Sequence, residues 1–277
     1  MNLLKKKTLK KLLAFACVSS ILVTFFTGCS SKKAETKVNT TLLSKSEFEK
    51  MYPTNSGGYV GRKANFYAKV SNDPKSGDGR VYIQCEAENS LNMNTLVKVK
   101  SSNLDIKKDD VIHVVGHVIK SSGDDKSSDS MDGTPTIKAT KVEKTDYATA
   151  FDPAVKTIQM NQDQNQNGFV ITVQKVEVSK NVTRVYLGLS NTSNNTVSIN
   201  TFESKLIQGS NQIDISEEQS MNYPQIQTQL MQGIKSQGVL VFKNVNLGGD
   251  NVKFTITASS QDYNVQFQPY QFDISLK

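Results

Sequence analysis

The sequence predicts an all-β chain in two domains: a five-strand N-terminal set led by a short helix, then a C-terminal antiparallel sandwich. Three observations predict it. Apolar residues recur at every second position through most of the chain, the period of a half-buried strand and not of a helix. Turn-forming clusters such as S-N-T-S-N-N and N-L-G-G-D-N separate these runs at short intervals. The 249 residues that follow the first 28 of the 277 leave room for two domains.

Residues 1–28 have a basic start with Lys5, Lys6, Lys7, Lys10 and Lys11, an apolar middle over residues 12–26 and the small Gly28. That is the layout of a secretory signal peptide. A membrane-spanning helix needs roughly 20 predominantly apolar residues; this middle is shorter and contains Ser19, Ser20 and Thr24. Phe26, Thr27, Gly28 and Cys29 resemble the lipobox of bacterial lipoproteins, with Phe26 where most carry an aliphatic residue. The resemblance implies signal cleavage between Gly28 and Cys29, a diacylglycerol on Cys29, and a partner in the membrane itself, with the folded part on the extracytoplasmic side. An ordinary signal peptide cut elsewhere and an uncleaved anchor are the alternatives. Two or more acyl chains hold where one is marginal, at about 0.8 kcal/mol per buried methylene. Residues 29–43 then read as a tether, whose polar part, residues 30–41, spans about 20 Å if flexible.

This processing changes the charge argument. The formal +7 rests on 33 basic and 26 acidic residues, and the first 28 residues carry five lysines and no acid, so cleavage leaves 28 basic against 26 acidic, or +2. The basic balance is a targeting feature and no evidence for nucleic acid. Of three cysteines, Cys17 leaves with the signal and Cys29 is lipidated, so Cys85 has no internal disulfide partner. It shares a strand face with Val81, Ile83 and Ala87 and reads as a small buried hydrophobe.

The first domain, residues 44–147, opens on S-K-S-E-F-E-K-M, where Ser44 and Glu47 have capping-box spacing for a helix to about Met51. In V-G-R-K-A-N-F-Y-A-K-V, residues 60–70, Val60, Ala64, Phe66, Ala68 and Val70 face inward and Lys63, Asn65, Tyr67 and Lys69 outward. Strands follow at 81–88, 95–100, V-I-H-V-V-G-H-V-I-K and 134–142. The G-R-K-A-N-F-Y-A-K-V opening and L-D-I-K-K-D-D-V-I-H-V-V-G-H-V resemble the anticodon-binding-like OB domains of secreted bacterial proteins, which implies a five-stranded barrel. OB folds bind oligonucleotides or oligosaccharides on one strand face and its loops. Here the outward set offers Lys63, Tyr67, Lys69 and Tyr82 as a possible ligand face. Glu86 and Glu88 point outward on the neighbouring strand and oppose phosphates, which makes nucleic acid an unfavourable ligand.

No cofactor and no metal site is expected. His113 and His117 share one side of a strand, but a zinc site needs three or four ligands and no third is visible. The loop G-D-D-K-S-S-D-S-M-D-G, residues 123–133, is an acidic connection whose aspartates offer at most weak calcium binding. D-Q-N-Q-N-G, residues 163–168, matches the first half of a calcium loop, yet position twelve is Gln174 instead of Glu. Residues 148–167 therefore read as a polar interdomain linker.

The second domain, residues 168–277, alternates again. Val185, Leu187 and Leu189 oppose Arg184, Tyr186 and Ser190; Val252, Phe254, Ile256 and Ala258 oppose Lys253, Thr255 and Thr257. With 197–199, 237–245, 264–267 and 272–276 this gives about seven strands, an antiparallel sandwich. G-F-V-I-T-V-Q-K-V-E-V, R-V-Y-L-G-L-S-N-T-S-N and M-Q-G-I-K-S-Q-G-V-L-V-F resemble an Ig-like family of unknown function common on Gram-positive lipoproteins. It implies architecture and no catalytic residues.

Both histidines share one strand, no G-x-S-x-G, H-E-x-x-H or P-loop occurs, and Asp109 and Asp110 sit in a turn, so no enzyme chemistry is expected. The expected function is a non-catalytic, membrane-anchored binding or interaction module with a cell-envelope protein or glycan as partner. Capture of an oligosaccharide or oligonucleotide on the OB face is the alternative, and a hydrolase stands behind both.

Overall fold

The computed structural model describes residues 39–52, 56–101, 104–120 and 134–277. Gly28, Cys29 and the acidic loop at 123–133 lie outside the described residues. Among those described, no helix is long and apolar enough to cross a membrane.

The helix α1 (Lys45–Lys50) starts where the capping box predicts it: Ser44 Oγ accepts from Glu47 N, and Glu47 reaches back to Ser44 N at 2.8 Å. Arg62 locks this corner, donating to both Glu47 oxygens at 3.0 and 3.1 Å. The barrel strands are β1 (Lys63–Val70), β2 (Lys75–Gly77), β3 (Arg80–Ala87), β4 (Asn94–Val99), β5 (Val111–Ile119) and β6 (Thr136–Thr145). Their order is β1-β5-β6-β4-β3, with β1 pairing β3 to close the ring and β2 added on β3. Among these strands, β4 and β6 pair in parallel and the other pairings are antiparallel. This is the five-strand OB-like barrel. β1 begins at Lys63 and not at Val60, since Gly61 takes φ 89°, and Val60 is exposed.

The barrel core has a small radius, and small residues fill it at the strand crossings: Ala64, Ala68, Cys85 and Ala87 are all buried. At Gly116 a Cβ would lie 2.5 Å from Lys138 O and 2.8 Å from Ala139 Cα. There the β5–β6 register shifts, Val115 facing Lys141 but Gly116 facing Ala139, a bulge that bends the sheet toward closure. The Cys85 thiol donates to Thr95 O at 3.6 Å, and burial pushes its pKa up.

The short helix α2 (Tyr147–Phe151), capped by Asp146, leads into β7 (Lys156–Gln166), β8 (Phe169–Val178), β9 (Val182–Asn191), β10 (Val197–Gln208) and β11 (Asn211–Asp214). After α3 (Glu217–Ser220) come β12 (Gln229–Leu230), β13 (Lys235–Lys243), β14 (Val252–Ser260) and β15 (Tyr270–Ile274). One sheet runs β13-β9-β8-β7, the other β11-β10-β14-β15 with β12 on β10, and both are antiparallel. Between them lies a core rich in large aromatics: Phe169, Phe242, Phe254, Tyr270 and Phe272.

Two further expectations need correction. Residues 264–267 are irregular and form no strand. The polar stretch expected as a linker is mostly strand β7, paired with β8 along its length. Its amide side chains explain why so polar a segment can be a strand. Gln166 Nε2 donates to Gln268 O while its Oε1 accepts from Gln268 N, at 3.0 and 2.9 Å. Gln164 makes the same pair of bonds with Gln271, and Asn167 donates to Gln266 O. Side-chain amides thus stand in for a backbone ladder between β7 and the chain leading into β15. Asn167 and Gly168, at φ 52° and 84°, form the β7–β8 hairpin turn, the Asn-Gly preference of a type I′ turn. Strand and turn occupy the positions a calcium loop would use.

Val38–Lys277 form one unit, and α2 shows how. Phe151 packs edge-on against Tyr67 of β1, and Asn89 donates to Tyr147 Oη. On its other side Tyr147 packs against Tyr223, and Asp152 bonds Arg184 of β9. Arg184 has no solvent exposure. It donates to Asp152 Oδ2 at 3.0 Å, Asp152 O at 2.8 Å, Glu177 Oε2 at 3.1 Å and Tyr223 Oη at 3.1 Å. Burial works against ionisation of Glu177, yet hydrogen bonds from Lys175 and Tyr186 hold its pKa below the usual range.

Candidate ligand-binding groove

The four residues expected to share a ligand face separate into two places. Tyr67 stacks on His113 with ring centroids 4.9 Å apart and is covered from the other side by Phe151. Lys69 pairs with Asp109 at 3.6 Å and faces Glu86 across the β1–β3 register. Tyr82 lies four residues beyond Glu86 on β3, so it stands on the order of 20 Å along the strand direction from Tyr67. The acidic Glu86 thus belongs to the Tyr67 and Lys69 end and not to Tyr82.

Tyr82 and Lys63 belong instead to a row that crosses all six strands. The register pairs Lys63 with His117, His117 with Lys138, Lys138 with Lys98, Lys98 with Tyr82 and Tyr82 with Lys75. Directly opposed residues share a face of the sheet, so these six side chains form an outer belt. At about 4.8 Å per strand it runs roughly 24 Å around the barrel. Lys98 Nζ sits 5.7 Å from the centre of the Tyr82 ring.

The belt deepens into a groove of about 700 Å³ beside β4. Asp78 and Gly79 shape one wall: at φ 51° and 69° they make the tight β2–β3 turn, which carries Arg80 to the rim. Lys98 and Lys100 come from β4 and its end, Ile119 from β5, and Lys138 from β6. Four cations therefore face one cavity, with Asp78 as the acid among its described lining residues. Burial and the neighbouring Arg80 lower the pKa of Lys98. Lys98 and Lys138 stand opposite each other across the parallel β4–β6 pair.

His113 and His117 lie on one side of β5, as the spacing requires, but they have different neighbours. His113 Nε2 bonds Asn65 Oδ1 at 2.6 Å, and His117 sits in the belt between Lys63 and Lys138. Among the described residues, no group of three or more His, Cys, Asp or Glu side chains is placed to hold a metal ion.

Sequence reasoning missed Arg80, Lys98, Lys100 and Lys138. Each reads as one basic residue on a polar strand face, and the β3–β4 and β4–β6 pairings bring them together. The Asp-Gly pair at 78–79 was the one local signal, since it marks the hairpin that raises Arg80.

No family model matches this chain, and no curated protein matches it. Among solved structures, it is similar to a conserved hypothetical protein from Bacillus anthracis, at 14% identity over 43% of this chain and 96% of that one, with a TM-score of 0.31.

Proposed function

We propose that this protein is a non-catalytic binding module of the cell envelope, tethered by lipid on Cys29, whose barrel holds an anionic glycan or polyol-phosphate chain. The observation that carries the reading is the groove in which Arg80, Lys98, Lys100 and Lys138 converge from three strands. A chain with regularly spaced anions suits a belt whose cations recur from strand to strand. OB-like barrels take oligomeric ligands across the corresponding strand face and loops. Tyr82 is the aromatic of the belt, whereas single-stranded nucleic acid calls for several stacking platforms along a cationic groove. The signal-like leader and the F-T-G-C motif support the tether and the extracytoplasmic location.

The test is calorimetric titration with a heparin oligosaccharide, a poly(glycerol phosphate), neutral dextran and an oligothymidylate. Binding to the first two, weakening with salt and falling about tenfold in Arg80→Glu/Lys138→Glu, is the expected outcome. No binding to any anionic probe would reject the reading, and tighter binding of the oligothymidylate would move the ligand class to single-stranded nucleic acid.

A further inference from the structure

The sandwich carries a second cavity whose chemistry is opposite to that of the barrel groove. β10 meets β14 at Asn200↔Thr257 and next at Lys205↔Thr255, so five steps along β10 match two along β14. The excess chain bulges outward and leaves Phe202 72% exposed. Such bulges re-aim side chains at strand edges. Across from it, the segment 224–228 is strapped over β13. Val239 N donates to Pro224 O at 2.9 Å, Gln227 N donates to Ser236 Oγ at 2.9 Å, and Gly238 has no room for a side chain, since a Cβ would lie 2.5 Å from Ile226 N. With α3 as the third wall, these pieces enclose about 590 Å³, within the range of specific binding pockets.

Its floor is apolar, from Ile215, Ile226 and Leu240, while Glu217 and Glu218 stand at the rim. Both glutamates are exposed, as is Glu203 on the bulge. The described lining residues include no lysine or arginine. Phe202 and Met221, the latter 83% exposed, form its outer edge.

We propose that this groove docks an extended segment of a partner protein that presents an apolar side chain flanked by lysine or arginine. Charge complementarity selects the flanks: the rim carboxylates repel an anionic segment and pair with a cationic one. The apolar floor selects the anchor, in the way buried anchors dominate peptide docking. The exposed Phe202 and Met221 decide between a peptide and a small molecule. Both line the cavity yet stay mostly in water; a chain that runs on past the cavity covers their outer surfaces as well, and methionine adapts readily to such a partner.

The chain contains no tryptophan, so a tryptophan probe reports without background. The full-length protein is titrated with the capped pentapeptide lysine-tryptophan-lysine-leucine-lysine and with its counterpart in which glutamate replaces each lysine. The basic peptide is expected to show a saturable blue shift and the acidic one none. Glu217→Lys/Glu218→Lys is expected to weaken binding about tenfold, the neutral Glu217→Gln/Glu218→Gln less, and Phe202→Ser severalfold. Arg80→Glu/Lys138→Glu, on the barrel, should change nothing, which separates this site from the barrel groove. Equal binding of both peptides, no saturable shift, or an affinity untouched by both glutamate double variants would overturn the proposal.

Discussion

The barrel packs alanines, Cys85 and Gly116 at its strand crossings, while the sandwich core adds four phenylalanines and Tyr270 to its aliphatic residues; their charges differ as well. In the barrel, cations stand outward in a belt, exposed at Lys63, Lys75 and Lys138 and buried at Lys98. In the sandwich, Arg184 sits on the outer face of its sheet, yet α2, Asp152 and Tyr223 cover it completely. Period-two alternation predicts the side of the sheet correctly in both cases. What lies over that side depends on another element, and this decides whether a charge is a ligand contact or a structural tie.

The sharpest break of the comparison is Arg184→Met. It leaves Asp152 buried without its cation and Glu177 with Lys175 alone, and breaking a buried pair in this way typically removes about 3–5 kcal/mol. The same exchange in the barrel belt, Lys138→Met, removes an exposed amine and should stay within about 0.5 kcal/mol of the parent. Urea unfolding of the two variants side by side measures the difference. Equal losses would mean that the Arg184 cluster is no more structural than the belt.

A smaller effect separates two strand glycines. Gly116→Val drives a side chain into the Lys138 and Ala139 backbone of the barrel, which cannot swing aside, and overpacking of this kind destabilises by about 1–3 kcal/mol. Gly188, in β9 of the sandwich, faces the Gln174 amide end at 3.3 Å, a flexible group that can yield. Gly188→Ala should therefore shift the urea midpoint far less than Gly116→Val. If both variants unfold at the same denaturant concentration, backbone closeness at the barrel bulge is not what fixes glycine there.

The same contrast explains which features were legible in the sequence. Alternation at residues 63–70 and 81–87 and the Ser44 and Glu47 spacing are local signals, and the strands and α1 follow from them. In the polar run at 156–166 the apolar alternation is limited to Ile158 and Met160, and from there on the amides of Gln164 and Gln166 make its contacts. Arg184 lies on the polar face that the pattern assigns it, but its burial depends on α2, some thirty residues earlier in the chain. The barrel groove needs the β4–β6 register, which no single strand encodes. The sandwich groove needs a bulge in β10 and a strap over β13, both invisible to periodicity. Cys29 is the reverse case, a site read wholly from its local motif.

The smallest expected effect concerns pH and isolates the barrel's own ion pair from the buried cluster. The guanidinium of Arg62 and the Ser44 N–H and hydroxyl donate to the Glu47 carboxylate, and together they lower its pKa from 4.5 to about 2. A carboxylate whose pKa is depressed by folding contributes stability that is fully present above its unfolded value and is lost as pH falls through the folded one. The Glu47 contribution should thus be complete above about pH 5 and fade as the pH falls toward 2. Glu47→Gln lacks the charge at every pH, so its melting temperature should lie below the parent's at neutral pH and converge with it in acid. Glu177 titrates identically in both proteins, so the difference curve reports the α1 corner alone. A gap that stays constant down to the acid limit would show that Gln disturbs the helix cap by shape, and that the bond to Arg62 contributes nothing through charge.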